Sequence, residues 1–506
     1  MRISRRIGTW MGLLAVVALV GPTAAAEKLK ALIIDGQNNH NWRATTPVLK
    51  DILLQSGRFE VEVATSPDGR APKDAWEKFR PDFSKCEVVI SNYNGQSWPD
   101  EVNAALVKFV RGGGGLVVIH AANNAFGGWK EWNEMIALGW RGANFGDGLY
   151  YDDAGKLVRV PKGKGRGTGH GRGHRFELVV RNDDHPITAG LPTTWLHEPE
   201  ELYHGQRGPA KDVTILVTGY ADKKTGGTGV SEPLVFVLPY GKGRVCVNLL
   251  GHGTSGMRGM GYQALHARGT EWAATGKVTL PVPQKLKTPL IELPRGKGFA
   301  GFRGDVGEWQ DAAEVTLSPD DEKRLAWKPG TGCVVNGPRG RTRHLVTVLE
   351  HADVEAHIEF VVPKGSNSGV YFQGRYEIQV FDSWGVAKPT HSDCGGIYQR
   401  WQRGKGFEGH PPKVNAALAP GTWQTFDVVF RAPRFDASGK KIANAKFVKV
   451  VHNGKVVHED VELSGPTRAA MFGNENAVGP IMFQGDHGPV AYRNIRITSI
   501  RLDQAK

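Results

Sequence analysis

Between Thr279 and Pro294 the chain changes rhythm, and that change commits it to two differently built domains. Before it, apolar strand-like runs alternate with helical patterns. LKALIIDG (29–36) leads to Thr45-Thr46-Pro47, a helix start with proline in its first turn, after which Val48, Leu49, Ile52 and Leu53 recur at helical spacing. FEVEVATS (59–66) and CEVVISNYNG (86–95) read as strands, a second helix follows Pro99, and GGGGLVVIHAA (112–122) is a buried strand feeding a turn. Further strands are expected at 213–220, 233–241 and 244–252, with a closing helix between Gly261 and Thr275. This order predicts a mostly parallel sheet covered by helices on both faces. TLPVPQKLKTPLIELP (279–294) is then a proline-rich linker. Beyond it lie only short alternating segments, with Asn453-Gly454 marking a two-residue hairpin, so the second half is expected to be a β-sandwich. The expected divisions are 1–26, 27–278, 279–297 and 298–506, in keeping with a chain of 506 residues, too long for one core.

Residues 1–26 read as an export signal. Arg2, Arg5 and Arg6 precede an apolar core, Met11 to Val20, and Ala24-Ala25-Ala26 offers a cleavage site before Glu27, which predicts a periplasmic or extracellular protein. That core is short for a membrane span, and no later segment approaches the necessary length. Loss of its three arginines lowers the formal net charge from +13 to +10. The remaining basic residues are spread out. The densest run, PKGKGRGTGHGRGH (161–174), is laced with glycine and reads as a solvated loop rather than a nucleic-acid surface. It also lacks the flanking strand and helix of a dinucleotide site. Cys86, Cys246, Cys333 and Cys394 have no zinc-like spacing; Cys86 and Cys246 adjoin apolar runs and read as buried thiols, while a Cys333–Cys394 disulfide stays open.

In open α/β sheets ligands bind beyond the carboxyl ends of the strands. His120, Asp35-Gly36-Gln37 and Asn92-Tyr93-Asn94 occupy three such ends and could share a pocket. With DHPITAGLP (184–192), PEELYHG (199–205), YGKGRVCVNLLGHG (240–253) and RGTEWAATGKV (268–278), they resemble the trehalose-utilisation (ThuA-like) family over about residues 29–280. The resemblance implies a fold similar to class I glutamine amidotransferases, a flavodoxin-like α/β domain in which one strand ends in a cysteine nucleophile. Here that turn reads His120-Ala121-Ala122-Asn123-Asn124, so thiolate chemistry and amidotransfer are excluded. His120, Glu200, Glu201, His204 and His252 are the candidate pocket residues, for acid–base, metal or sugar-binding roles. A His170/His174 metal pair in the glycine loop lacks a rigid element to fix its geometry.

In the second half, NSGVYFQGRYEIQVFD (367–382) alternates so that Tyr376, Ile378 and Val380 face one way and Glu377, Gln379 and Phe381 the other, with Tyr371 and Gln373 paired on the preceding run. A polar, aromatic-edged face suits a carbohydrate, although a solvated sheet face has the same pattern. This block, GGIYQ (395–399), GTWQTFDVVF (421–430), the HNGKVV hairpin and GPIMFQGDHGPVAYRNIRI (479–497) resemble the 3-keto-disaccharide hydrolase (3-keto-glucoside 1,2-lyase/hydratase) family over about 299–503, which implies a concanavalin-like jelly roll. A departure from the family pattern is Gly485, inserted in Gln484-Gly485-Asp486-His487.

The resemblance implies removal of the C2 proton that a C3 ketone acidifies, an enediolate stabilised by a divalent metal or strong donors, loss of the group at C1, and hydration. Glu377, Asp382 and His487 are then base or metal-ligand candidates, and His391 a second base; Asn367, Tyr371, Gln373, Gln379, Tyr398 and Gln484 would bind sugar hydroxyls. An oxidised sugar is the expected partner, supplied by an upstream glycoside 3-dehydrogenase. The rival readings are a pair of carbohydrate-binding modules without turnover and an ordinary glycoside hydrolase using Glu377 and Asp382.

Overall fold

The computed structural model describes residues 27–502 apart from 285, 287–290, 295–298 and 437–438, so the export signal expected at 1–26 lies outside the described residues. The first domain is built on one large sheet. Leu29–Asp35, Phe59–Thr65, Val88–Ser91, Gly115–Ile119 and Gly243–Asn248 run parallel. The sheet then continues antiparallel through Ser231–Tyr240, Thr214–Tyr220, His174–Val180 and Thr194–Glu200. It is therefore mixed rather than mostly parallel: the hairpin of Ser231–Tyr240 with Gly243–Asn248 needs no helical crossover, and reverses direction there. The first helix, Trp42–Gln55, starts earlier than its proline suggests, because the Asn41 side chain accepts from the Ala44 N–H and caps it. Helices Asp100–Gly112 and Met260–Thr275 fall where the sequence places them. No helix among the described residues is long and apolar enough to cross a membrane.

The second domain is a sandwich of antiparallel sheets. A large sheet follows the order Gln310–Leu317, Leu325–Val335, Ala491–Ser499, Val354–Val361, Gln424–Arg431, Ala445–His452 and Lys455–Leu463. A four-stranded sheet, Leu345–His351, Gly479–Phe483, Asn367–Phe372 and Tyr376–Phe381, lies against it. Between them a core that includes Val370, Phe372, Ile378, Phe426, Phe430 and Phe483 is closed to solvent. Asn453 and Gly454 both adopt positive φ, as the hairpin turn demands. The linker is shorter than its sequence suggests: Ile291–Leu293 pairs with Ile495–Ile497 and belongs to the sandwich. All four cysteines are free, so the Cys333–Cys394 bond left open by the sequence is not formed.

The two domains meet through buried charge. Glu350 of the sandwich forms an ion pair with Arg181 of the first domain at 2.6 Å and with Arg303 of its own domain at 3.5 Å, all three side chains being nearly inaccessible. Arg303 returns to the first domain through Asp153, at 2.7 Å. Arg375 and Asn474 donate to the Ala154 carbonyl, and Asn476 donates to that of Gly155.

Candidate functional site

Two sheet faces gather chemistry. In the first domain, the Gly115–Ile119 strand ends at His120, whose φ of 43° is costly for a residue with a side chain. Its Nδ1 lies 2.7 Å from the Leu249 carbonyl, which fixes that nitrogen as the N–H donor and leaves Nε2 a bare acceptor. Nε2 is buried and has no hydrogen-bond partner. Burial pushes the imidazole well below its ordinary range, so His120 stays neutral. Around it stand His40, with ring centroids 4.9 Å apart, His252 at 5.4 Å and Tyr203 at 4.1 Å. Glu201 reaches into this ring: its carboxylate lies 3.9 Å from His120, 3.6 Å from His170 and 3.9 Å from His252. Trp140 packs edge-on against Tyr203 at 4.6 Å and closes one side.

Adjacent residues divide between pocket and scaffold. Glu201 enters the pocket, whereas Glu200 is buried behind it, accepting from the backbone N–H groups of Gly251 and His252 and pairing with His197 at 2.6 Å. Glu200 therefore positions the Gly251-His252 turn and does not itself reach the pocket. Tyr203 and His204 alternate in the same manner along a two-residue strand, so His204 packs under Gly169 while Tyr203 faces His120 and His170. His40 and His170 complete the cluster. The glycine loop, expected to be only solvated, contributes His170 because Gly169–His170 pairs with Tyr203–His204; His174 instead packs against Phe176 outside the cluster. The Asp35 and Asn92 strand ends do converge here, since Asn38 donates to the Asn92 carbonyl and Asn94 to Asn39 beside His40.

In the second domain, the four-stranded sheet turns Glu377, Gln379, Tyr371 and Asn367 away from the core, as alternation predicts. Tyr371 lies directly across from Glu377 on one side. On the other, Gly395–Tyr398 runs beside the Tyr376–Phe381 strand and sets Tyr398 opposite Glu377. Glu377 is 2 % exposed, and its Oε2 is buried without a hydrogen-bond partner. Burial pushes its carboxyl up to about 8, the Asp486 charge adding to the rise. The Tyr371 hydroxyl is likewise raised well above its ordinary value by burial and by Glu377, so it stays protonated. Gly369 makes room for this arrangement, because a Cβ there would collide with the Glu377 carboxylate. Gln379 donates to Asn367 at 2.8 Å, and Gln484 borders the same face through its backbone bond to Gly369. Asp486 holds His487 at 2.5 Å, and His391 packs against Tyr398 with ring centroids 5.7 Å apart. The extra Gly485 fits a tight passage in which a Cβ would collide with the Arg343 carbonyl.

Gln373, expected on this face, is elsewhere, whereas Asp382 follows the strand end as the sequence places it. Gln373 follows the end of its strand, takes φ 54° and turns inward, donating to the carbonyls of His351 and Ala477. Asp382 lies past the other strand end, where it accepts from the backbone N–H groups of Gly365 and Trp384. It lies five positions from Glu377, about 16 Å along the chain at strand rise. Glu377, Asp382 and His487 therefore do not assemble as a metal-ligand set. Among the described residues the group able to hold an ion is His40, Glu201 and His252.

Comparison with known families follows this division. The sequence profile of the trehalose-utilisation family, ThuA, matches residues 30–273. That of a 3-keto-alpha-glucoside-1,2-lyase-like domain matches residues 288–498. The chain is a ThuA domain joined to a 3-keto-alpha-glucoside-1,2-lyase-like domain. The ThuA domain is similar to a solved structure described as a ThuA-like protein of Parabacteroides merdae, with 44% identity over 52% of this chain and 95% of that one, at a TM-score of 0.49. The lyase-like domain is similar to one described as a glycosyl hydrolase of Parabacteroides distasonis, with 26% identity over 42% of this chain and 86% of that one, at a TM-score of 0.31. No curated protein matches the chain. A carbohydrate-active role follows from the lyase-like domain.

Proposed function

We propose that the lyase-like domain cleaves 3-keto-glycosides by elimination across C1 and C2, followed by addition of water. The supporting observation is Glu377, a buried carboxyl raised to about 8 and flanked by two tyrosines on the polar side of the four-stranded sheet. A ketone at C3 acidifies the C2 hydrogen, and a carboxylate of raised pKa is the stronger base to remove it. The electron pair moves into a C2–C3 enediolate, whose developing charge on O3 the protonated Tyr371 hydroxyl and the Gln379 amide would stabilise. Collapse of the enediolate expels the oxygen at C1, protonated by His487 in its pair with Asp486, and leaves a C1–C2 double bond. Water then adds at C1 as the proton returns to C2, for net hydrolysis. An ordinary retaining or inverting glycosidase built on Glu377 and Asp382 would need the two carboxyls within about 10 Å, which their offset of five positions along the chain does not favour. The substrate chemistry requires a preceding oxidation at C3, the work of a glycoside 3-dehydrogenase, and the basic, apolar N-terminal segment favours action outside the cytoplasm.

The test is to incubate the protein with 3-keto-trehalose and with trehalose and to follow sugar release. Cleavage of the keto sugar alone is expected, with kcat/KM rising about tenfold per pH unit up to about pH 8 as Glu377 ionises. Equal cleavage of trehalose, or binding of both sugars without turnover, would overturn the proposal.

A further inference from the structure

The ThuA domain carries a second constellation that the elimination chemistry does not use. Its imidazoles converge from four separate segments: the loop after Leu29–Asp35, the end of Gly115–Ile119, the glycine loop, and the turn after Gly243–Asn248. Their ligating atoms surround one carboxylate at spacings too long for direct hydrogen bonds. Glu201 stands 3.6 Å from His170 Nε2 and 3.9 Å from the Nε2 atoms of both His120 and His252. Nitrogen and oxygen ligands about 2.1 Å from a shared tetrahedral ion lie roughly 3.4 Å from one another, close to these separations. One atom from each of His40, Glu201 and His252 lies within 4.8 Å of the other two.

His120 supplies an independent indication. Its Nε2 is a lone pair with no hydrogen-bond partner on a side chain 3 % exposed, directed toward Glu201. The Leu249 carbonyl fixes its tautomer, as an outer-sphere acceptor does for a metal-bound histidine. A buried acceptor without a donor is costly, and a water held by a cation beside it would supply that donor. The backbone strain at this residue, φ 43°, holds the ring where a flexible turn would not. Mixed imidazole and carboxylate ligands favour a transition-metal ion over calcium or magnesium.

We propose that the ThuA domain binds one divalent transition-metal ion through His40, His252 and Glu201, with His120 and His170 at its open side, and presents that ion to the adjacent hydroxyl and carbonyl oxygens of a sugar. The ring surface for the sugar is Trp140, which lies against Tyr203 and 5.8 Å from His170. The assignment of an oxidised sugar rests on the function proposed for the lyase-like domain; the metal assignment does not.

The full chain, stripped with chelator and dialysed, is titrated with Co(II), which reports imidazole ligation through its visible absorption, and with Zn(II) by calorimetry. One equivalent is expected to bind, with the Co(II) bands appearing in step. His252→Ala and Glu201→Gln are each expected to weaken binding by tenfold or more, while His174→Ala and Glu377→Gln leave it unchanged. Circular dichroism of each variant separates loss of ligands from loss of fold, and a folded Glu201→Gln/His252→Ala double variant that binds like the wild type would overturn the site. So would an absence of stoichiometric binding by the wild type. The Co(II) protein is then titrated with 3-keto-glucose: a shift of the bands supports the sugar assignment, and unchanged bands overturn it without affecting the test of Glu377.

Discussion

Replacing Glu377 by glutamine is expected to lower kcat/KM for a 3-keto-glycoside by about 10²- to 10⁴-fold while making the folded protein more stable at alkaline pH. Both effects have one cause. In the fold the carboxyl is raised to about 8 by burial, well above its value in an unfolded chain. The folded state thus binds more protons than the unfolded state between roughly pH 4.5 and 8, so the contribution of Glu377 to stability is full below that window and is lost as pH rises through it. Glutamine keeps the shape and removes the ionisation. Thermal unfolding at pH 8.5 is expected to show a higher Tm for the variant, by the equivalent of a few kcal/mol, with the difference vanishing near pH 4. A variant that loses activity and is also less stable at pH 8.5 would mean that the carboxylate is a structural partner rather than a strained base.

The second large effect concerns the joint between domains. Burial alone would raise the Glu350 carboxyl, but Arg181 and Arg303 outweigh it and hold the group below its ordinary range. Glu350→Gln leaves the buried Arg181 guanidinium without a carboxylate and Arg303 with that of Asp153 alone, and loss of one partner from such a group costs about 3–5 kcal/mol. Its contribution is present at neutral pH and is lost as pH falls through the depressed native value, so the variant should show a weaker acid transition than the wild type. Scanning calorimetry is expected to show a lower first transition for the variant and separation of the two domains' unfolding. An unchanged single transition would contradict the role assigned to Glu350.

The features legible in the sequence are those governed by local periodicity. Alternation placed Glu377, Gln379 and Tyr371 on one face and Ile378 and Val380 in the core, and the Asn453-Gly454 turn occurs where its residues demand it. The same alternation fails where a strand stops. Parity pairs Gln373 with Tyr371, but Gln373 lies past its strand's last residue and enters a tight turn with positive φ. The histidine cluster is a different case. His40, His120, His170 and His252 belong to segments far apart in the chain, and only the sheet's strand order brings them together. The GHG and PEELYHG motifs point to His252 and Glu201; His170 is weighed only with His174 and set aside for want of a rigid element, which the pairing of Gly169–His170 with Tyr203–His204 supplies, and the polar run before His40 hides that residue. In the antiparallel half of the first sheet the strands at 213–220 and 233–241 are legible but their direction is not, and His174–Val180 and Thr194–Glu200 are not, because no helix between them marks the rhythm.

Elimination and direct hydrolysis differ at a single atom. Elimination removes the C2 hydrogen and returns a proton from solvent, whereas displacement at C1 leaves C2 untouched. Turnover of 3-keto-trehalose in D2O, followed by NMR at early times against an enzyme-free control, measures that atom directly. One deuterium at C2 of the released 3-keto-glucose for every bond cleaved is the expected result, lost together with cleavage in Glu377→Gln. Product that retains protium at C2 at the rate of cleavage would contradict the mechanism.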